Sequence, residues 1–291
     1  MKTLLKLGGC WLAFVVAFVG TGVLGRIFHL PPVHMPGNTP MSSQILAMLG
    51  AAALLVMGLY PLARGLRAGP ALRALAIGGF FFIALGVNGV IETRFFTHLL
   101  DQGVASAELL YGLEAILIGA TFGYFFGTTD QAAGLPRRTF LAWTGRGIAA
   151  WLAWPVIYLF FGACIAPIVV PYYSAGAAGM HIPPLQTIFE LQLVRSVFFM
   201  GCSLPFIALW KGSRRSLWFA LGLAHAMVVG IYGIAAATFL PAVLRITHGV
   251  EITCDSFAYA GLLVLLFAAP STNKERLVGA GSFALGMRST S

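Results

Sequence analysis

GIAAWLAWPVIYLFFGACIAPIVV, residues 147–170, is a run of 24 residues without a single charge. A helix needs about 20 mostly apolar residues to cross the hydrocarbon core of a bilayer. Inside that core every backbone N–H and C=O must find its partner within the protein, which a helix achieves over one segment. The run therefore reads as a transmembrane helix. Its ends agree: Trp151 and Trp154 lie near one, and Tyr172 and Tyr173 just past the other, where amphipathic rings mark the two membrane surfaces.

Working outward, seven further segments meet the same test, over about 5–25, 43–63, 74–93, 107–127, 186–209, 216–240 and 250–269. The composition demands them. Charged residues make up 9% of the 291-residue chain and hydrophobic residues 59%, with a mean hydropathy of +0.88. An average soluble domain carries about 25% charge, so this chain cannot cover a water-facing surface. Disorder is excluded because so much apolar surface must be buried. The first segment follows Lys2 and Lys6, as a signal peptide would. Leu7–Gly25 outruns the usual apolar region of one, however, and Gly25-Arg26 is a poor cleavage site. It is read as a retained helix. The fold class is all-α, a polytopic membrane bundle of eight transmembrane helices whose partner is the lipid bilayer. Residues 1–130 form a first four-helix half and 131–146 a basic linker. Residues 147–270 form a second half, and 271–291 a short polar, disordered tail.

The basic residues orient the bundle. Before the first span, and after the second, fourth, sixth and eighth, stand Lys2, Lys6, Arg64, Arg67, Arg73, Arg137, Arg138, Arg146, Lys211, Arg214, Arg215, Lys274, Arg276 and Arg288. Only Arg26, Arg94, Arg195 and Arg245 fall at or within the opposite side. The positive-inside rule then puts both termini in the cytoplasm. A net charge of +9 spread in twos and threes is no nucleic-acid footprint. Cys10, Cys164, Cys202 and Cys254 lack metal or redox spacing and read as small buried residues.

Acidic residues take the other side. Asp130 and Glu275 alone fall in cytoplasmic segments. Glu92, Asp101, Glu108, Glu114, Glu190, Glu251 and Asp255 lie in outer loops or outer helix halves, as do His29, His34, His98, His181 and His248. A candidate four-plus-four parallel repeat matches His29-Leu30-Pro31-Pro32-Val33 with His181-Ile182-Pro183-Pro184-Leu185, an offset of 152. At nearly that offset Arg94 and His98 match Arg245 and His248, and Pro61 and Pro205 sit late in the second and sixth spans.

A charge at membrane depth normally faces a partner or a water-filled cavity. At ~1.5 Å rise per residue, Glu114, Arg195 and His225 share a level near the midplane, with Asn88, Glu190, Glu251 and Asp255 above them. They read as an outward-facing polar pocket, with Arg195, Arg245, His225 and His248 beside Glu114, Glu190, Glu251 and Asp255. The bland alternative is a Glu114–Arg195 ion pair that only fixes packing. No metal is expected. A bis-histidine haem is excluded because only His225 is deep.

Three patterns carry a resemblance: Tyr158-Leu159-Phe160-Phe161-Gly162, Gln192-x-x-Arg195, and the stretch Leu240-Pro241-Ala242-Val243-Leu244-Arg245-Ile246-Thr247-His248-Gly249-Val250-Glu251-Ile252. Through them Trp154–Leu262 resembles a group of bacterial multi-pass membrane proteins of no known activity, which implies a bacterial inner membrane. Glu190, Arg195, His225 and His248, in that order, are also similar to the CAAX-type (Abi) intramembrane proteases, which would make Glu190, His225 and His248 catalytic. Leu191, Leu221 and Ile252 depart from that family's second glutamate, phenylalanine and final Asn or Asp.

No nucleotide-binding, serine-hydrolase or zincin motif is present, so no cofactor is expected. Three functions remain. The chain is a carrier or binding protein for a small, anionic ligand, an intramembrane hydrolase, or a structural or assembly subunit.

Overall fold

The computed structural model describes residues 1–31, 40–100, 103–128 and 134–268. The tail 271–291, residues 131–133 of the linker, and His34, Asp101, Asp130 and Glu275 lie outside them. Among the described residues, eight helices are long and apolar enough to cross a membrane. They are α1 (Lys2–Ile27), α2 (Met41–Gly65), α3 (Pro70–Phe96), α4 (Val104–Phe126), α5 (Phe140–Ser174), α6 (Leu185–Leu209), α7 (Arg214–Ala236) and α8 (Ala242–Phe267). This is the architecture of an all-α, multi-pass membrane protein.

The ends differ from expectation where polar residues join a helix. Thr139 caps α5, its hydroxyl accepting from the Ala142 N–H at 3.3 Å, so α5 reaches 35 residues. The α8 helix starts at Ala242, not near 250, because Arg245, His248 and Glu251 belong to its first turns. Short π-helical stretches interrupt α3 at Phe82–Val87 and α7 at Met227–Ile231.

The same elements recur in both halves at a nearly constant spacing. Pro40 and Pro184 precede α2 and α6 with matching backbone angles, φ −56°, ψ 138° and φ −53°, ψ 143°. Pro61 and Pro205 lie one turn before the ends of those helices. Trp11 Nε1 of α1 donates to the Leu49 carbonyl at 3.0 Å, and Trp151 Nε1 of α5 donates to the Leu193 carbonyl at 2.8 Å. Leu66 and Trp210, each just after its helix, pair with each other in an antiparallel bridge. The Arg67 N–H donates to the Leu209 carbonyl at 2.7 Å, and the Lys211 N–H to the Gly65 carbonyl at 3.0 Å. Pairing of equivalent positions with each other is the mark of a local two-fold axis.

The register is therefore 144 residues for α2–α3 against α6–α7, as Leu66 and Trp210 show, and the offset of 152 is corrected. Pro40 stands before α2 as Pro184 stands before α6, and Pro32 lies outside the described residues. Arg94 closes α3, whereas Arg245 and His248 already lie on α8.

Helices α3 and α4 pack together closely, as do α7 and α8, while α1 lies on α4 and α5 on α8. The halves interleave: α2 packs on α7, and α6 on α3. Small residues allow this proximity; a Cβ on Gly119 of α4 would come within 2.6 Å of the Ala74 carbonyl of α3. Of the cysteines, Cys10 and Cys202 are buried, but Cys164 is exposed and Cys254 half-buried, contrary to the expectation of four buried thiols.

The face that holds the N-terminus is basic, and its cations cap helix ends. Lys6 donates to the Phe125 carbonyl at the end of α4. At the end of α8, Arg138 and Arg146 donate to the Leu266 carbonyl at 2.8 and 2.6 Å, and Arg214 to the Ala268 carbonyl at 2.6 Å. Desolvation first, then the neighbouring Arg146 and Arg214, hold the Arg138 pKa below its usual value. Positive charge at a helix C-terminus offsets the partial negative charge of its free carbonyls. The opposite face, below called distal, carries the α1–α2, α3–α4, α5–α6 and α7–α8 connections.

Candidate functional site

Arg195, on α6, is 1% exposed. Its Nη2 donates to Glu92 Oε2 of α3 at 2.7 Å, and its Nη1 to Gln192 Oε1 at 3.1 Å. The same Gln192 oxygen accepts from Trp154 Nε1 of α5 at 2.9 Å. The guanidinium lies 5.3 Å from the centre of the Phe199 ring and 6.0 Å from that of Tyr158. Three helices from both halves thus converge on one buried cation.

Helix direction explains why Glu92 is its partner. Each Cα–Cβ bond leans toward its own helix N-terminus. The α6 helix starts at the distal face and α3 at the basic face, so Arg195 reaches up while Glu92 reaches down. On a rise of ~1.5 Å per residue, Arg195 lies about 15 Å below its helix start and Glu92 about 6 Å below the end of α3. The opposed tilts close that gap.

The last helix supplies the rest. His248, Glu251, Asp255 and Tyr259 fall on one face of α8, three or four residues apart. His248 Nδ1 pairs with Glu251 Oε2 at 2.7 Å, and its Nε2 lies 3.2 Å from the Tyr173 hydroxyl of α5. Asp255 interacts electrostatically with Glu251, Glu92 and Arg195. One arginine therefore sits among three carboxylates. Several polar atoms here have no protein partner: Asp255 Oδ1, Arg195 Nε, Gln192 Nε2, and both side-chain polar atoms of Asn88, one turn below Glu92. Buried polar atoms are almost always paired, so such a concentration marks a place built for something besides packing.

A cleft of about 420 Å³ opens beside the cluster, between α5, the start of α6 and α8. Its walls are mainly apolar, among them Leu159, Val169 and Ile188, and its polar floor is Tyr158, Tyr173, His248 and Glu251. Clefts of roughly 300–1,000 Å³ with a few convergent polar groups are typical of small-molecule sites. Gly162 lets Glu251 lie against α5; a Cβ there would stand 3.3 Å from Glu251 Oε1.

The anticipated residues divide. Arg195, His248, Glu251 and Asp255 come together. Glu114 and His225 instead find partners apart from Arg195 and from each other. Glu114, fully buried on α4, meets the Tyr232 hydroxyl at 3.5 Å, and its Oε2 has no partner. His225 Nε2 lies 2.8 Å from the Ser203 hydroxyl, with its ring against Phe80 and Phe199. Phe199 stands between it and Arg195, which keeps the two apart. The expected Glu114–Arg195 pair is replaced by Glu92–Arg195.

Glu190 is exposed and accepts from Gln186 at 2.8 Å. Arg245 lines another cleft, of about 390 Å³, with Ile231, Gly249 and Thr253. That cleft lies around α8 from His248 and Glu251, so Arg245 does not join Arg195. Glu190, His225 and His248, the hydrolase trio, occupy three separate environments. Among the described residues no three His, Cys, Asp or Glu side chains are grouped to hold a metal.

Sequence reasoning left out Glu92, Gln192, Trp154, Tyr158 and Tyr173 as site residues. Glu92 and Gln192 had a signal: Glu92 is a carboxylate within an apolar span, and Gln192 is a polar residue one turn before Arg195 on the same helix.

The fold and the cluster define a multi-pass helical membrane protein with a charged site between its two halves. The chain matches no protein-family model, no curated protein and no solved structure.

Proposed function

We propose that this protein is a carrier or binding protein of a membrane, with an amphipathic small molecule as its ligand. The ligand's chain lies in the lateral cleft and its head meets Glu251 and His248 beside the Arg195 cluster. The observation that carries this reading is an apolar cleft whose polar floor includes Glu251 and His248, beside the buried Arg195–Glu92 pair and Asp255 with their unpaired polar atoms. Ionisable groups at such depth mark substrate and ion pathways. Charge balance favours a cationic head over the anionic one first expected. The only arginine in the cluster is occupied by Glu92 and Gln192, while the carboxylates outnumber it. The distribution of Lys and Arg favours cytoplasmic termini, so the cleft opens away from the cytoplasm. The resemblance of Trp154–Leu262 favours a bacterial inner membrane.

The test is thermal unfolding of the full chain in lipid nanodiscs with dodecylammonium or dodecanoate. A ligand at a hundred times its Kd stabilises by about 2.7 kcal/mol. Dodecylammonium should stabilise the protein, and Glu251→Gln should abolish the effect without loss of folding. Stabilisation by dodecanoate alone would reverse the ligand's charge, and indifference to both would remove the cleft as a ligand site.

A further inference from the structure

The α8 helix carries its titratable residues in single file. His248, Glu251 and Asp255 are 22%, 8% and 3% exposed, in that order, from the distal end inward. At ~1.5 Å per residue the file descends about 10 Å. Its contacts are continuous at the top, from the Tyr173 hydroxyl to His248 Nε2 at 3.2 Å and from His248 Nδ1 to Glu251 Oε2 at 2.7 Å. Glu251 and Asp255 stand one turn apart on the same face, where Cβ atoms are about 5–6 Å apart. At the bottom, Asp255 Oδ1 is buried without a partner. The charged groups around Asp255 are Glu251 on α8, Glu92 on α3 and Arg195 on α6. The phenols of Tyr158 and Tyr173 on α5 face Glu92 and Glu251. Tyr259 lies one turn below on the same face.

We infer that this file is a proton path that runs past the ligand site at His248 and Glu251 and ends at Asp255, and that proton and ligand exchange along it. Tyr173 donates its hydroxyl proton to His248 Nε2 and takes another from water at the distal surface. His248 releases the proton on Nδ1 to Glu251 Oε2, and Glu251 passes one to Asp255. Tyr173, His248 and Glu251 each gain one proton and lose one, and Asp255 gains one, so a single proton moves inward. With one arginine against three carboxylates, the cluster accepts either a proton or the ligand's cationic head, and one drives out the other. The exchange rests on the carrier reading, whereas the path itself rests on the geometry of α8.

Infrared difference spectroscopy on the full chain in nanodiscs, perfused with buffers of alternating pH and no ligand, tests the path with the proton as its probe. The wild type should show a carboxyl band that follows the bath, and Asp255→Asn should delete it. His248→Phe and Glu251→Gln should keep that band and slow its response about a hundredfold, the low end of what a positioned proton-transfer group contributes. If Asp255→Asn fails to fold, Asp255→Glu retains a carboxyl and should move the band instead. A band that survives at position 255 unchanged, or a response equally fast in both path variants, overturns the inference. Dodecylammonium binding on the same samples separates the two readings. Binding with unslowed path variants sinks the path alone, while a working path without binding sinks the carrier alone.

Discussion

Arg195 has a counterpart 144 residues earlier, on the same turn of the equivalent helix, and it is Ala51, equally buried. At the same spacing Gln192 answers to Met48, and Glu92 to Ala236. On the last helix of each half the close contact of Gly119 with Ala74 answers to that of Gly261 with Trp218, a spacing of 142. There His248, Glu251 and Asp255 answer to Ser106, Leu109 and Leu113. Contacts that build the frame are kept in both halves: the indole bonds of Trp11 and Trp151, the caps of Lys6 and Arg146, and the paired turns. Charges differ. The first half contributes Glu114, which meets Tyr232, and Glu92 alone of the ion cluster, and the second contributes the rest of that cluster. A repeated scaffold holds two unlike interiors, so framework and site are separable.

The largest test of that separation is Arg195→Ala. It strands Glu92 beside Glu251 and Asp255 without a cation, and removing one partner of a buried pair costs about 3–5 kcal/mol. Arg195→Ala with Glu92→Ala installs what the equivalent positions of the other half carry, Ala51 for Arg195 and Ala236 for Glu92. The double variant should unfold later than the single one in thermal or denaturant melts. A double variant that is no more stable would mean that the pair cannot be lifted out of the frame.

Next in size, Gly119→Ala and Gly261→Ala probe whether the two helix contacts are equally tight. A Cβ on Gly119 meets a rigid backbone oxygen at 2.6 Å, and one on Gly261 a movable indole at 3.3 Å. Overpacking costs about 1–3 kcal/mol, so Gly119→Ala should fall in that range and Gly261→Ala below it. Equal losses would show that Trp218 is held as firmly as backbone.

Trp11→Phe and Trp151→Phe should each cost about 1 kcal/mol, the net worth of one hydrogen bond. The pair should be additive within ~0.5 kcal/mol, as expected for distant sites. Marked coupling in the double variant would argue that the halves share their stability. Smallest are the caps, at about 0.3–1 kcal/mol each. Lys6→Met should exceed Arg146→Met, because Arg138 also donates to the Leu266 carbonyl.

Much of the architecture was legible in one dimension. Spans follow from uncharged length, and the basic face from alternation of Lys and Arg, because the solvent changes along the membrane normal and composition must follow it. Burial was legible too, since a charge within an apolar span must be sheltered: Glu114, Arg195 and His225 are all buried. Lateral placement was not. Nothing in a helix's own sequence tells whether Phe199 will stand between Arg195 and His225, or that Cβ tilt will carry Arg195 up to Glu92. The repeat's register was misread for a related reason. His-Pro-Pro matches sit in loops, whose lengths drift, while the true register shows in Pro61 and Pro205, inside helices that cannot drift. Glu190 misled because rise per residue sets its depth above Arg195 but not the side of the helix it leaves from, and five positions around a helix point elsewhere.

Because α2 lies on α7 and α6 on α3, each half wears the other's inner surface. Severing the chain between Gly127 and Thr139 should leave two pieces that are degraded when made alone and recovered as a complex when made in the same cell. Such a split pair would allow one half to be tagged, labelled or exchanged independently of the other.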